Sequence, residues 1–409
     1  MHPATPPSFT DADVPLQLLR ARAFNLRWAT LPPDVIPLTA ADPDFAVAPA
    51  ITAAMIDYIQ GGVFSYGPAE GLPSFRAACA QMRTTRKGHS CDPAQILAVD
   101  SAAAGMLHVA RLALKPGDEA IVFDPVDFLF KSSVEAAGGQ VRLLPIEPTT
   151  GMIDFSALEA LVSARTRLLC VCNPHNPLGR VLTADELRRL GDFAVAHDLL
   201  ILNDEIWSDI VFDGRPFISL PTLSPAIAAR TFTVQGLSKT FGLAGLRVGF
   251  VVAPTPALFD ALLAVSMAQS TMTGVATLSQ VGATAAYTHA WPWADAFVQH
   301  MQRMRDLALG VLAAVPGLQV RAPEGTYVLF PDVRAWDVEA EALTARLLHH
   351  HRVAVVPGAT RWFGPGAEGH LRICFATAEG VLRTGLTRLC EGLHAARLAD
   401  TGRPRPSAG

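Results

Sequence analysis

TFTVQGLSKTFGLAGLRVGF, residues 231–250, carries a single lysine, Lys239, between two apolar runs. The runs at 231–234 and 248–253 read as buried strands separated by a turn containing Gly and Ser. A lysine confined by apolar flanks loses hydration, its pKa falls, and its amine becomes a nucleophile. Ser238 precedes it and Arg247 lies eight residues on. A hydroxyl and a guanidinium fork there suit a phosphate. The alternative is a surface turn with ordinary basic residues.

Two further segments bear on that choice. Asn173-Pro174-His175-Asn176-Pro177-Leu178-Gly179-Arg180 follows an apolar run, LLCVC. Its Pro and Gly residues freeze an irregular loop that can aim the Asn176 amide at one ligand atom; the plainer reading is a tight strand-to-helix turn. Asn203-Asp204-Glu205-Ile206-Trp207 ends the run LLILND. A buried Asp204 must meet a cation or a donor, and a protonated pyridine nitrogen is such a partner. A solvated acidic turn is the competing reading. A Schiff-base lysine beside a phosphate cradle and a buried carboxylate is the set that pyridoxal 5'-phosphate (PLP) requires.

The chain has 409 residues, enough for two or three domains and a large core. Half are hydrophobic and 17% charged, which excludes a disordered chain. A net charge of -4 supplies no basic field for nucleic acid. The start, MHPATPPSFTDADVP, has no apolar core of a signal peptide, and no apolar run reaches membrane-spanning length. The six cysteines form no CxxC pair and read as reduced, so a cytoplasmic protein is expected.

Residues up to Asp13 read as a loose arm. A short strand, a turn and a helix start follow in DVIPLTAADPDFAVAPAITAAMIDYI, then loop chemistry at 61–68, including Tyr66, and a helix at 75–86. From Gln95 the runs ILAVDS, AIVFDP, QVRLLPI, LLCVCNP and LLILND alternate with helical patterns and fit strands buried on both faces of a parallel sheet. One helix opens with the capping-box pair Thr183 and Glu186. Small residues after Ser101, at Ala102 and Ala103, let a helix start approach an anion. Alternating strands and helices predict a doubly wound α/β domain with ligands at the strand C-terminal ends. Beyond Ala253 the chain turns helical. LQVRAPEGTYVLFPDV, EALTARLLHH, VAVVPG, HLRICFA and a last helix then predict a smaller α+β domain. The expected division is an arm with part of the small domain (1–50), a large domain (51–290), a small domain (291–398) and a disordered tail (399–409). His349-His350-His351 point in different directions on a helix and cannot share one ion well.

NPHNPLG, DEIW, SKTFGLAGLRVGF and HLRICFAT, in this order and spacing, resemble the fold type I PLP enzymes of the class I/II aminotransferase family. The resemblance covers nearly the whole chain. Within the family, DVIPL…ADPDF, NPHNPLGRV, DEIWSDIVF and PEGTYV are most similar to the cystathionine β-lyase branch of C–S lyases. The resemblance implies an aspartate aminotransferase-like fold: a large, mostly parallel doubly wound domain plus a smaller α+β domain. It implies that Lys239 holds PLP and shuttles the proton at Cα, that Asp204 keeps the pyridine nitrogen protonated, and that Asn176 bonds the phenolic oxygen. It places Trp207 where aminotransferases mostly have Tyr. Ser238, Arg247 and the Ser101–Ala103 backbone would hold the phosphate, Arg372 and Ala41 would bind the substrate, and Tyr66 would reach the phosphate of a neighbouring subunit in a homodimer.

Three features depart from the family pattern. The phosphate loop has Ala102 and Ala103 without the usual Gly, Gly236 stands where Ser or Ala is commoner, and Asp127 replaces the aromatic that stacks on the cofactor ring. Asp127 either caps the following helix, with Phe128 taking over the stacking, or contacts the substrate. The expected activity is β-elimination of a thiol from an amino acid, giving pyruvate and ammonia. Amino transfer to a 2-oxoacid is the alternative, and a decarboxylating or oxidative variant the third. A regulator that merely keeps the fold would not need Lys239.

Overall fold

The computed structural model describes residues 7–401. In chain order its strands are β1 (Ile36–Pro37), β2 (Ile96–Val99), β3 (Glu119–Asp124), β4 (Gln140–Pro145), β5 (Thr166–Cys172), β6 (Leu200–Asp204), β7 (Thr231–Gly236), β8 (Gly249–Val252), β9 (Val328–Leu329), β10 (Val353–Ala354), β11 (Val356–Gly358) and β12 (His370–Cys374). A seven-stranded sheet has the order β2-β8-β7-β6-β5-β3-β4. Strands β3 to β7 pair in parallel, whereas β8 is antiparallel to both β7 and β2. The reversal follows from the linker: residues 237–248 contain one 3-10 turn, Ala244–Leu246, and no crossover helix, which a parallel return requires.

The sheet's central strands are buried almost throughout, as continuous apolar runs covered by helices on both faces must be. The run QVRLLPI behaves otherwise. It forms β4, which pairs only with β3, and its residues are largely exposed or half-buried because an edge strand is covered less. The expected capping box is present: Thr183 Oγ1 accepts from the Glu186 N–H, and the Glu186 carboxylate accepts from the Thr183 N–H, opening helix Ala184–Ala196.

The remaining strands form two small sheets, β1-β10 (parallel) and β11-β12-β9 (antiparallel). The segment VAVVPG is divided at Val355: β10 pairs with β1 and β11 with β12. Helix Thr277–His289 was not marked by sequence pattern; its small residues give little contrast between faces, yet it packs on helices Pro49–Gln60 and Pro73–Lys87.

The N-terminal segment is not a loose arm over its described part. Phe9 is buried against Phe45, Trp293, Phe297 and His300, and Asp11 accepts from the Gly380 and Val381 N–H groups at the start of helix Glu379–Thr401. An acidic side chain there caps free donors and meets the positive helix end. That helix runs to Thr401, past the expected start of the tail at 399; residues 402–409 lie outside the described residues. Among the described residues all six cysteines are free, and no helix is long and apolar enough to cross a membrane.

Helix Pro73–Lys87 braces the end of β6 from behind. Arg83 Nη1 meets Glu205 Oε2 at 2.5 Å, with both side chains shielded from solvent. The same guanidinium donates to Gln235 (3.1 Å) and Ser219 (2.6 Å), while Glu205 also accepts from Asn203 and Ser219 at 2.7 Å each. One turn on, Lys87 Nζ meets Asp209 at 2.5 Å. Removing one charge of such a pair leaves the other uncompensated. Glu205→Gln should therefore lower unfolding stability by about 3–5 kcal/mol, measured by urea denaturation; a loss below about 1 kcal/mol would show that Arg83 finds a replacement partner.

Candidate active site

The parallel strands β3, β5, β6 and β7 all end at the same edge, where β8 begins. The loops after these ends enclose a cavity of about 500 Å³. Lys239, Asp204, Asn176, Trp207, Ser238, Arg247, Ser101, Ala102, Ala103, Asp127, Arg372 and Ala41 all line it. Asp127, Asn176, Asp204 and Lys239 are thus brought together because each follows a strand pointing the same way, while Ala41 after β1 and Arg372 on β12 come from the two small sheets. Tyr66 is the exception: it lies outside the cavity and is 92% exposed.

Lys239 follows β7 and is sequestered. Its Nζ donates to the Ala41 carbonyl at 2.7 Å and stands 5.2 Å from the centre of the Trp207 ring. Burial lowers its pKa, and the nearby Asp42 pulls in the opposite direction. This favours the neutral, nucleophilic amine over an isolated surface lysine. Tyr327 shares the same acceptor, its hydroxyl donating to Ala41 O at 3.2 Å, and its ring meets Trp207 edge-on at 4.6 Å.

Asp204 ends β6 and accepts from the Ile206 N–H at 3.0 Å. Burial pushes its pKa up to about 7, helped by the neighbouring Asp127 and Glu205. A carboxylate so placed gains strongly from a cationic partner. Arg372, on β12, is 8% exposed and donates to the Thr39 carbonyl at 3.2 Å. Its Nε is buried without a partner, it forms no ion pair with a carboxylate among the described residues, and burial lowers its pKa. A guanidinium fork in this condition fits an incoming carboxylate.

On the other side, Ser101 caps helix Ala102–Ala113, its Oγ accepting from Ala104 N at 3.1 Å. The first-turn donors of that helix, Ser238 and the exposed Arg247 line the cavity together. At Gly236, one of the departures from the family pattern, the tight neighbour of an added side chain is Ile206 and not Ala102. A Cβ on Gly236 would lie 3.7 Å from Ala102 Cβ and 3.3 Å from Ile206 Cδ1.

Asp127 satisfies the capping reading and also faces the cavity. Its Oδ1 accepts from Leu129 N at 3.1 Å, as the N-cap of helix Phe128–Ala136, and its Oδ2 accepts from Asn176 Nδ2 at 2.8 Å. Phe128 also lines the cavity, edge-on to Trp362 at 5.7 Å. Sequence reading missed Trp362 and Phe363, which line the cavity from the segment before β12, and Asn25 and Leu26 near the N-terminus. An aromatic pair ahead of Gly364 in GATRWFGPG was the available signal for the first two; nothing local marked the others.

The match to known proteins agrees with this geometry. Residues 33–389 match the family model for aminotransferase class I and II. The chain belongs to that family. It is 32% identical to the arginine–pyruvate transaminase AruH of Pseudomonas aeruginosa, over 87% of this chain and 89% of the relative. It is 28% identical to the cystathionine β-lyase PatB of Bacillus subtilis, over 87% and 92%. A PLP-bound putative aminotransferase from Clostridium difficile 630 superposes with a TM-score of 0.84 at 27% identity, covering 91% of this chain and 97% of that one. The fold is the aspartate aminotransferase-like fold type I, and the protein is a PLP-dependent enzyme. Relatives named as aminotransferases predominate, which favours amino transfer over the expected β-elimination.

The cavity's own residues fit PLP: a confined amine, a buried carboxylate in need of a cation, an Asn176 amide nitrogen with one N–H given to Asp127 and a second to offer, and an anion cradle at a helix start. The pKa of Asp204 yields a test. Between the ordinary value of 3.8 and about 7, folded Asp204 keeps a proton that the unfolded chain releases. The folded state then binds more protons, so this contribution to stability falls as pH rises through that window. After PLP removal, the melting temperature of wild type should drop between pH 4 and 7 relative to Asp204→Asn. Parallel pH profiles for the two proteins would contradict the assignment.

Proposed function

We propose that the protein is an aminotransferase that moves the amino group of an amino acid to a 2-oxoacid. The observation that carries this reading is Arg372, a buried guanidinium without a carboxylate partner, facing the same cavity as the confined Lys239. Such a pair receives an α-carboxylate at one point and reacts at the neighbouring Cα. Bound here, PLP supplies a carbonyl that condenses with amines and a ring that accepts the electrons left when Cα loses its proton. The remaining work belongs to the chain. Lys239 would anchor the cofactor, and its freed Nζ would take the proton from Cα and deliver it two atoms further along, to the carbon that was the cofactor's carbonyl. Asp204 holds the pyridine N–H, Asn176 donates to the phenolic oxygen, and Ser101–Ala103, Ser238 and Arg247 hold the phosphate. Arg372 and the Ala41 segment fix the substrate so that its Cα–H faces Lys239.

C–S β-elimination is the second reading. It is supported by Trp207 at the position where aminotransferases mostly have Tyr, and by the likeness to PatB. The two readings separate on product. Purified enzyme given an amino donor (arginine, aspartate or an aromatic amino acid) and pyruvate should form alanine. Given cystathionine, it should release little thiol. Arg372→Lys keeps the charge and loses the fork, so KM for the donor should rise about tenfold or more while cofactor absorbance persists. Thiol, pyruvate and ammonia from cystathionine, without alanine formation, would establish the lyase instead.

We also infer a homodimer in which Tyr66 completes the phosphate site of the partner. Its support is the exposure of Tyr66 together with Val63, Phe64, Ile56 and Ile59 on one stretch of chain. The proposed division into residues 51–290 and 291–398, with the first fifty residues joining the smaller unit, is supported by the pairing of β1 with β10. Sedimentation should give a dimer, and Tyr66→Ala should weaken PLP retention; an active monomer would refute the shared site.

A further inference from the structure

We infer that Asp127 is a positioning residue for the cofactor site, acting through Asn176. The inference rests on the cavity being a PLP site but not on which reaction it runs. Asp127 stands between two fixed points. One oxygen caps the helix Phe128–Ala136, accepting from Leu129 N at 3.1 Å; the other accepts from Asn176 Nδ2 at 2.8 Å. The backbone repeats the link, with the Asp127 N–H donating to the Asn176 carbonyl at 3.2 Å. The loops after β3 and β5 are thereby tied together at the cavity wall.

The chemistry of the pair fixes a choice that shape alone does not. The two ends of an amide are nearly equal in size, so a side chain such as Asn176 fits its site in either orientation. An ionised carboxylate only accepts, so the amide nitrogen must face Asp127. That nitrogen carries two N–H groups. One serves Asp127, and the other remains for an acceptor on the ligand. The amide oxygen is buried without a protein partner. The flipped amide would point its oxygen at Asp127 and at an ionised phenolic oxygen alike, opposing acceptor to acceptor. An aromatic side chain at position 127 could cover a ring but could not select the amide orientation. Here a carboxylate occupies the place, and the cap on Leu129 holds that carboxylate in its rotamer.

A double-mutant cycle on PLP affinity tests the coupling. Asp127→Ser retains a capping oxygen and removes the carboxylate; Asn176→Ala removes the amide. The dissociation constant of PLP is measured on the full-length chain by visible absorbance. Each single variant should bind PLP about tenfold more weakly, as for the loss of one charge-assisted hydrogen bond. The double variant should be weakened by about tenfold also, not a hundredfold, because Asp127 has nothing to act on once the amide is gone. Multiplying effects, or an Asp127→Ser variant with wild-type affinity, would overturn the inference. Melting temperatures serve as the control: a purely structural role would lower stability equally in both backgrounds and leave the cycle on affinity additive. Should Asn176→Ala fail to fold, Asn176→Ser replaces it in the cycle. Loss of alanine formation in the transfer assay with the cycle intact would remove the proposed reaction and leave Asp127 in its role. Wild type that binds no PLP would remove both.

Discussion

Two cations one helical turn apart, Arg83 and Lys87, meet two acids four residues apart, Glu205 and Asp209, and the active-site edge of the sheet depends on that match. Between the acids lies Trp207, and immediately before them Asp204. Asp209 also accepts from Thr240, the residue after Lys239, at 2.9 Å. One helix therefore anchors both the carboxylate and the lysine segments from outside the cavity. Burying these four charges is costly unless each is paired. Once paired, they leave the intervening residues little freedom to shift, which is what a site needs when reacting atoms must be held within a fraction of an ångström.

Inside the cavity the situation is reversed. Burial works against the charge of Lys239, of Arg372 and of Asp204, and none of the three has an ion-pair partner among the described residues. The outer ring of charges is neutralised by protein, and the inner ring awaits ligand groups of the opposite sign or a reactive carbonyl. This is strain stored at a functional site and offset by the rigid support around it. The same division explains why the Ala41 carbonyl matters. It offers Lys239 a hydrogen bond without a full negative charge, so the amine is held in place without being locked as an ammonium.

Much of this was legible in the chain. Lys239, Asp204, Asn176 and Arg372 sit in short segments whose order and spacing carry the family resemblance, and their strands are continuous apolar runs. What local pattern could not give was direction and distance. The run that became β8 reads like its neighbours, and only the lack of a crossover helix reverses it. Phe9 is a lone aromatic in a Pro-rich polar stretch, and its burial depends on Trp293 and Phe297, almost three hundred residues away. Trp362 and Phe363 acquire meaning only through the small sheet that carries them to the cavity. At Asp127 the helix cap was legible in sequence, but the second oxygen goes to Asn176, a partner 49 residues away that no local pattern marks.

The contact of Asp11 with Gly380 joins residues 369 positions apart, and Arg372 reaches Thr39 across 333. Described residues near the two ends of the chain, Asp11 and Thr39 on one side and Arg372 and Gly380 on the other, thus lie together. On a ribosome adding roughly 5–20 residues per second, the N-terminal segment waits on the order of 20–70 s for the partner that covers it. During that interval the seven-stranded sheet can assemble, since its strands are complete at Val252. Arg372 can reach the cavity only after about 120 further residues have followed Val252. Nascent chains should therefore pass through a state with a formed sheet and an open site, and the carboxylate-binding wall is added late rather than gradually.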